Sequence, residues 1–425
     1  MISWGVYAVP AWAPVGTYEE WYWNHLMVPN SPTQKFHNAT YGPDFKYHDF
    51  VKVWEGPGGK AGELFNATAL AQLFKSGGFK YFAPLSKHHD GYCLFKTDTS
   101  WNWNSVDTGP HRDVIGELTT ALRAEGLHAG MYFSLFEWFN PILNGPNAHD
   151  YVTQVMLPQM HELVTQYEPD ILWTDGEWTH DAAFWNSTDF IAWLYNDSPV
   201  KEQVVINDRW GKHTRGKHGG FYTEEYSSQT VAGHKWEENS GIDIHSYGFN
   251  RNTPASDYLT VGELVHLLVR SVAFGGNLCL NVAMAYDGRV PAIMAERIEG
   301  LGAWVDTNGA GIYSSRRWRV PQDNATATSN TVFYTRAKPT AANQGNLTTV
   351  FAFVDTFPAP GGQWVLTSPV PSATTSVSLL GYPSPLSFDG AAGVPGMRVH
   401  VPADVAPSAA LSQMGMWTLQ LEAVA

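Results

Sequence analysis

Residues 168–178 read EPDILWTDGEW and carry four carboxylates, Glu168, Asp170, Asp175 and Glu177, around a short apolar run. The run has the length and composition of a buried strand, and in a parallel barrel the working groups collect at the C-terminal ends of the strands. Asp175 is the polar residue that ends this run, and Gly176 beside it leaves room for a ligand. Other apolar runs end in the same way. FKYFAPLS (79–86) leads into Lys87-His88-His89-Asp90-Gly91, LHAGMYFS ends near Glu137, and QVVIND ends in Asp208-Arg209. Polar residues at the head of one loop are ordinary; their recurrence at four strand ends points to an active site. Glu168 and Asp170 are expected as the solvated lead-in to the strand, and Glu177 as loop structure.

The residue types narrow the chemistry. Adjacent strand residues point to opposite faces, so His88 and His89 make a poor chelating pair and suit hydroxyl binding better. There is no Gly-x-Ser-x-Gly elbow to supply a serine nucleophile. Cys93 and Cys279 are the only cysteines; they offer neither a disulfide framework nor a zinc pattern, and Cys279 in NLCLNV reads as a buried thiol. No metal or organic cofactor is expected. Paired carboxylates remain, the usual equipment for cleaving a glycosidic bond: one attacks or stabilises the sugar cation while the other protonates the leaving oxygen. Asp175 is the candidate for the first role. Its partner must come from a later strand, from Glu224 or Glu225 in GGFYTEEYS or from Glu237 or Glu238 in HKWEENSG.

Composition agrees with a sugar ligand. Charged residues make up only 16% of the 425, and 18 Trp, 19 Tyr, 21 Phe and 39 Gly take their place. Indole and phenol rings pair a flat apolar face with a polar edge, which matches a sugar. The formal net charge of −14, with no long Lys or Arg run, argues against nucleic acid or an acidic membrane surface as partner. No stretch approaches the ~20 apolar residues needed to span a bilayer.

The elements that must position these groups follow from periodicity. From about 60 to 310, short apolar runs alternate with amphipathic stretches such as RDVIGELTTALRAEG (112–126) and TVGELVHLLVRSVAFGG. HDYVTQVMLPQMHELVTQY has a helical period, with Pro158 expected to kink or divide it. Strand–helix alternation on this scale predicts parallel strands with crossover helices, and a (β/α)8-like barrel in particular, since no Gly-rich phosphate loop follows the first strand. After about 318 the texture becomes short alternating runs separated by Pro, Gly, Asn and Ser, which predicts an antiparallel β-sandwich. The expected domains are a catalytic barrel over 1–318 and a C-terminal sandwich over 319–425.

At this point the blocks SWGVYAVPAW, EEWYWN, KHHDGY, GPHRDVIGEL, GMYFS, DILWTDGEW, NDRWG, HKWE, GFNRN and GGNLCLNV, in that order, resemble the α-L-fucosidases of glycoside hydrolase family 29 over essentially the whole chain. The resemblance implies a distorted barrel with a C-terminal β-sandwich. It also implies retaining hydrolysis of terminal α-L-fucose from glycans through a covalent fucosyl-enzyme, with a fucosylated glycan or glycoconjugate as partner; oligomeric state is left open. By position, Asp175 falls on the family's nucleophile and Glu225 on the general acid/base, with Glu237 and then Glu224 as alternatives. Glu20, Trp21, His88, His89, Tyr132, Trp173, Arg209 and Tyr247 match positions that line the fucose pocket. The charged and imidazole groups would bind ring hydroxyls, and the aromatic faces would cover the C5 methyl and the apolar ring face.

One departure carries an expectation of its own. The family has His-Trp-Gly where this chain has Ser3-Trp4-Gly5, and that His binds the sugar. Its replacement implies weaker affinity, and a strand missing before it would leave a barrel edge unpaired; a truncated start accounts for both. Two rival functions follow, a fucose-binding lectin-like protein that has lost catalysis and a retaining glycosidase acting on L-galactosides. Five Asn-x-Thr acceptors, at Asn38, Asn66, Asn186, Asn324 and Asn346, lean towards a secreted, vacuolar or lysosome-like location, although MISWG shows no signal peptide.

Overall fold

A computed structural model describes residues 1–425 except 57–61, 63, 228–232, 324–330, 339–348 and 403–413. The acceptors Asn324 and Asn346 lie outside the described residues. The chain clusters into two compact units. The first comprises Met1–Tyr226, Asn239–Tyr258 and Cys279–Glu296, and the second Ser227–Glu238, Leu259–Leu278 and Arg297–Ala425.

The strands of the barrel fall into two sheets. One holds β2 (Tyr81–Phe82), β4 (His128–Ser134), β5 (Ile171–Asp175) and β6 (Val205–Ile206) in that order, with β3 (Leu85–Lys87) also pairing β4. The other runs β1 (Ile2–Ser3), β9 (Asn277–Ala283), β8 (Trp236–Gly241), β7 (Tyr222–Glu225). The edge expected to lie unpaired is in fact paired. Ile2 and Ser3 form the first strand, opposite Val282 and Ala283 on one side, while Ile2 bridges Pro84 on the other and so links the two sheets. The architecture is a distorted (β/α)8-type barrel with an antiparallel β-sandwich. In the sandwich a six-stranded sheet begins with β10 (Ser315–Gln322), and a three-stranded sheet accompanies it; Trp318, Tyr334, Trp364 and Leu419 are buried in its core.

Helices form where the periodicity predicts them: Val114–Ala124, Val261–Ala273 and Ala292–Asn308. The second starts from a reciprocal cap, in which Thr260 Oγ1 accepts from the Glu263 N–H and Glu263 accepts from the Thr260 N–H. The helical stretch is divided just before Pro158, as its sequence leads one to expect. A π-helical turn over Val152–Met156 precedes it, so Pro158, which has no N–H, stands in the first turn of the α-helix Leu157–Tyr167 where that donor is not needed.

The β4–β5 register explains which side chains reach the barrel interior. Tyr132 pairs with Trp173 and Ser134 with Asp175, and the period of two turns these four to one face while Leu172 and Thr174 take the other. Thr174 Oγ1 accordingly donates to the Arg209 carbonyl, at 2.6 Å. Asp170 is more than a solvated lead-in: its Oδ2 accepts the Ala129 N–H at 2.9 Å and ties β5 to the start of β4. Glu168 ends the preceding helix in the left-handed region (φ 49°).

Glu137, one of the polar strand ends, has a structural partner. Lys87 Nζ, fully buried, lies 2.8 Å from Glu137 Oε1 and 3.0 Å from both the Tyr151 hydroxyl and Gln159 Oε1. Gly91 (φ 76°) lets the turn after His89 close over this pair, since a Cβ there would come within 2.7 Å of Glu137 Oε2. Removing one partner of a buried pair strands the other charge. Glu137→Ala is therefore expected to lower stability by about 3–5 kcal/mol, read from urea denaturation, and a loss under ~1 kcal/mol would show that water reaches Lys87.

Candidate active site

The C-terminal ends of these strands surround an open-mouthed cavity, the kind of concave site in which small molecules bind. Asp175, the last residue of β5, is nearly buried on its wall. Tyr132 donates its hydroxyl to Asp175 Oδ2 at 2.6 Å, and Arg209 Nη1 donates to Oδ1 at 3.0 Å. Burial, followed by the Asp175 charge, raises the Tyr132 pKa well above that of an ordinary phenol, so it stays a donor. Arg209 Nη2 reaches 2.9 Å from Glu225 Oε1, so one guanidinium spans Asp175 at the end of β5 and Glu225 at the end of β7. Its Nε donates to Thr223 Oγ1 at 2.9 Å, and its plane lies 4.7 Å from the Trp173 ring centre. Burial alone would lower the Arg209 pKa; the charges of Glu225, Asp175 and Glu177 override it and push it higher.

His88 and His89 both line this cavity, against strand alternation. They follow β3 rather than belong to it, in a turn closed by the Gly91 N–H on the His88 carbonyl, and their ring centres are 4.1 Å apart. Burial lowers the His89 pKa to about 3, with the charges of Lys87 and Arg209 adding to it, so its 3.6 Å approach to Asp175 is not an ion pair. Ser134 Oγ donates to the Phe136 carbonyl, which makes it the acceptor for His89 Nδ1–H at 2.6 Å and leaves Nε2 an acceptor. His88 is also held neutral, by burial first and His89 second, and among the described residues its Nδ1 has no partner.

Glu20 also lines the wall, just before the helix Tyr22–Leu26, with Oε2 accepting from the Gly248 N–H (2.8 Å) and Ser246 Oγ (3.1 Å). Burial raises its pKa from 4.5 to about 7 against those hydrogen bonds. The folded protein therefore holds a proton here that the unfolded chain has lost, and the associated stability, fully present below 4.5, disappears as pH rises through about 7. At ~1.4 kcal/mol per pH unit the contribution is about 3 kcal/mol. Glu20→Gln should flatten the decline in unfolding free energy between pH 5 and 8 by up to that amount; an unchanged slope in denaturation at the two pH values would refute it.

All ten residues assigned to catalysis or sugar binding on the barrel strands and loops converge on this cavity: Asp175 and Glu225, with Glu20, Trp21, His88, His89, Tyr132, Trp173, Arg209 and Tyr247. The alternatives do not. Glu224 precedes Glu225 on β7 and so points to the other face of the strand. Glu237 belongs to β8 in the second unit and is absent from the cavity wall. Gly176 makes no room for a ligand. It adopts a left-handed backbone (φ 78°), and a Cβ there would strike Phe136 at 2.8 Å, so it accommodates the 134–136 chain. Glu177 is buried against the charges of Arg209 and Asp175, and burial raises its pKa to about 7.

Sequence reasoning passed over Tyr18, Asn239 and Trp178, which also line the cavity. Each stood beside a residue that was chosen: Tyr18 two before Glu20, Trp178 three after Asp175, Asn239 two after Glu237. Among the described residues Asn239 Oδ1 has no partner, and Ser3 Oγ, at the position of the family's His, donates to Asn281 Oδ1 at 2.8 Å.

The α-L-fucosidase family profile matches residues 1–310. The chain belongs to the α-L-fucosidase family. Over its whole length it is 39% identical to the tissue α-L-fucosidase of Bos taurus, covering 86% of that protein. Over 91% of the chain it is 40% identical to the plasma α-L-fucosidase of Rattus norvegicus, covering 82% of that one. Among solved structures it is similar to the Thermotoga maritima α-fucosidase in complex with a mechanism-based inhibitor, with a TM-score of 0.80 and 31% identity across 99% of this chain and 94% of the other. In this fucosidase-family chain the ordered sequence blocks and the barrel-end cavity therefore coincide.

Proposed function

We propose that the protein is a retaining exo-α-L-fucosidase that releases terminal α-L-fucose from glycans. The observation that carries this reading is the single guanidinium of Arg209 holding both Asp175 and Glu225 on the wall of one cavity. Two carboxylates on the wall of one cavity are the machinery of glycoside hydrolysis. Asp175 attacks the anomeric carbon as the glycosidic bond breaks, and the bond's electrons go to the leaving oxygen, which takes its proton from Glu225. The intermediate is a β-linked fucosyl ester of Asp175. Glu225 then removes a proton from water, which attacks the same carbon and frees the Asp175 carboxylate with net retention. Tyr132 and Arg209 hold Asp175 in line. The neutral imidazoles of His88 and His89 and the Glu20 carboxyl offer hydrogen bonds to ring hydroxyls, and the faces of Trp173 and Trp21 cover apolar carbons. Ser3 keeps a polar group where the family has His.

A binding-only protein has no need of the carboxylate pair, which is intact here. Proton NMR during hydrolysis of an aryl α-L-fucoside tests the reading: α-fucose must appear first and mutarotate to β. First-formed β-fucose, or binding without release, would refute it, and faster release from the matching aryl α-L-galactoside would move the substrate to L-galactose. The exposed acceptors Asn38 and Asn66 support passage through the secretory route. Among the described residues no helix is long and apolar enough to cross a membrane.

A further inference from the structure

Two large rings on the cavity wall remain substantially exposed, Tyr18 at 38% and Trp178 at 40%. Trp21 neighbours both, its ring centre 6.4 Å from Tyr18 and 6.5 Å from Trp178, and their other neighbours differ. Trp178 stacks on Trp21 (centres 6.5 Å apart, planes at 18°) and meets the edge of His89 at 5.2 Å; His89 in turn lies 3.6 Å from Asp175. This ring belongs to the nucleophile side. Tyr18 stacks on Tyr247 (5.9 Å, 26°), and Tyr247 packs at 5.0 Å against Tyr226, the residue that follows Glu225. Burial raises the Tyr18 pKa, and the Glu225 charge is the next contributor. Tyr18 is thus on the acid/base side.

In a double displacement the leaving group departs opposite the nucleophile, towards the group that protonates it. A group arriving or leaving on that side of the cavity passes the face of Tyr18. The ring is presented to solvent yet fixed in orientation by the ring behind it, and a flat face of this kind, with a polar tip, suits the apolar face of a pyranose. We propose that Tyr18, braced by Tyr247, is the platform on which the sugar carrying the fucose stacks, and so determines preference among fucosylated substrates. The proposal rests on the fucosidase reading above.

The test compares two substrates for the wild-type protein, Tyr18→Ala and Tyr18→Phe. A fucosylated disaccharide has a leaving sugar to stack, whereas α-L-fucosyl fluoride has a single leaving atom. The ratio of kcat/KM for the disaccharide to kcat/KM for the fluoride should fall about tenfold in Tyr18→Ala, on the scale of a lost aromatic contact and its buried area. Most of the fall should reside in KM, and Tyr18→Phe should keep the ratio within about threefold of wild type, because the face and not the hydroxyl makes the contact. An unchanged ratio in Tyr18→Ala overturns the proposal, as does an equal fall in Tyr18→Phe. Failure of wild-type protein to hydrolyse either substrate would instead overturn the fucosidase reading.

Discussion

Asp175→Ala is expected to lower turnover of an aryl α-L-fucoside by at least about 10⁴-fold, in the range that follows removal of a covalent nucleophile in other hydrolases. Neither oxygen of this carboxylate is idle: one accepts from Tyr132 at 2.6 Å and the other from Arg209 at 3.0 Å, which orients the group but cannot substitute for it. The fold should survive. Arg209 keeps Glu225 at 2.9 Å and Thr223 at 2.9 Å, so the substitution does not strand a buried charge. Thermal unfolding then separates lost chemistry from lost structure. Azide added to this variant can occupy the vacated face and attack the fucoside directly, with inversion, giving β-fucosyl azide from an activated fucoside. Near-normal turnover, or an azide product of retained configuration, would move the nucleophile elsewhere.

Glu225→Ala is expected to act according to the leaving group. A glycan whose leaving oxygen must be protonated should lose about 10²–10⁴-fold in kcat/KM, the usual worth of positioned acid catalysis. An aryl fucoside with an acidic phenol needs little protonation and should form the fucosyl-enzyme at a rate much nearer normal. Water without its base then attacks slowly, so the intermediate accumulates. Azide needs no base, so it should restore turnover and yield α-fucosyl azide, the retained product. The same rescue in Glu237→Ala or Glu224→Ala, and its absence in Glu225→Ala, would transfer the role. The geometry favours Glu225 because it alone of the three lies on the cavity wall, beside Arg209.

Much of this site was legible in the sequence because barrel chemistry gathers where strands end, and strand ends show up as apolar runs stopped by polar residues. Asp175, His88, His89 and Arg209 were found in that way. Choosing between the two acids of TEEY was a different problem. Which of Glu224 and Glu225 faces inward depends on the pairing of β7 with its neighbours, and a shift of one residue would exchange them. His88 and His89 show the same limit. As strand residues they would diverge; as turn residues they both reach the cavity.

Burial was the other hidden quantity. Glu137 carries the same local signature as Asp175, yet it neutralises Lys87 across fifty residues of chain. Asp170, which looks like a solvated lead-in, binds the backbone of the neighbouring strand. Tyr18 and Asn239 stood within two residues of positions that had been chosen, but nothing in their local sequence said that they share a wall with Asp175. By itself the sequence determined the family, the alternation of strands and helices, and the strand end that carries Asp175, the proposed nucleophile. Tertiary structure decided which of the candidate acids shares its cavity wall, the protonation of the groups around it and the pairing of the first strand. The reason is physical: side-chain periodicity and turn chemistry are local, whereas register, desolvation and charge pairing are set by segments far apart in the chain.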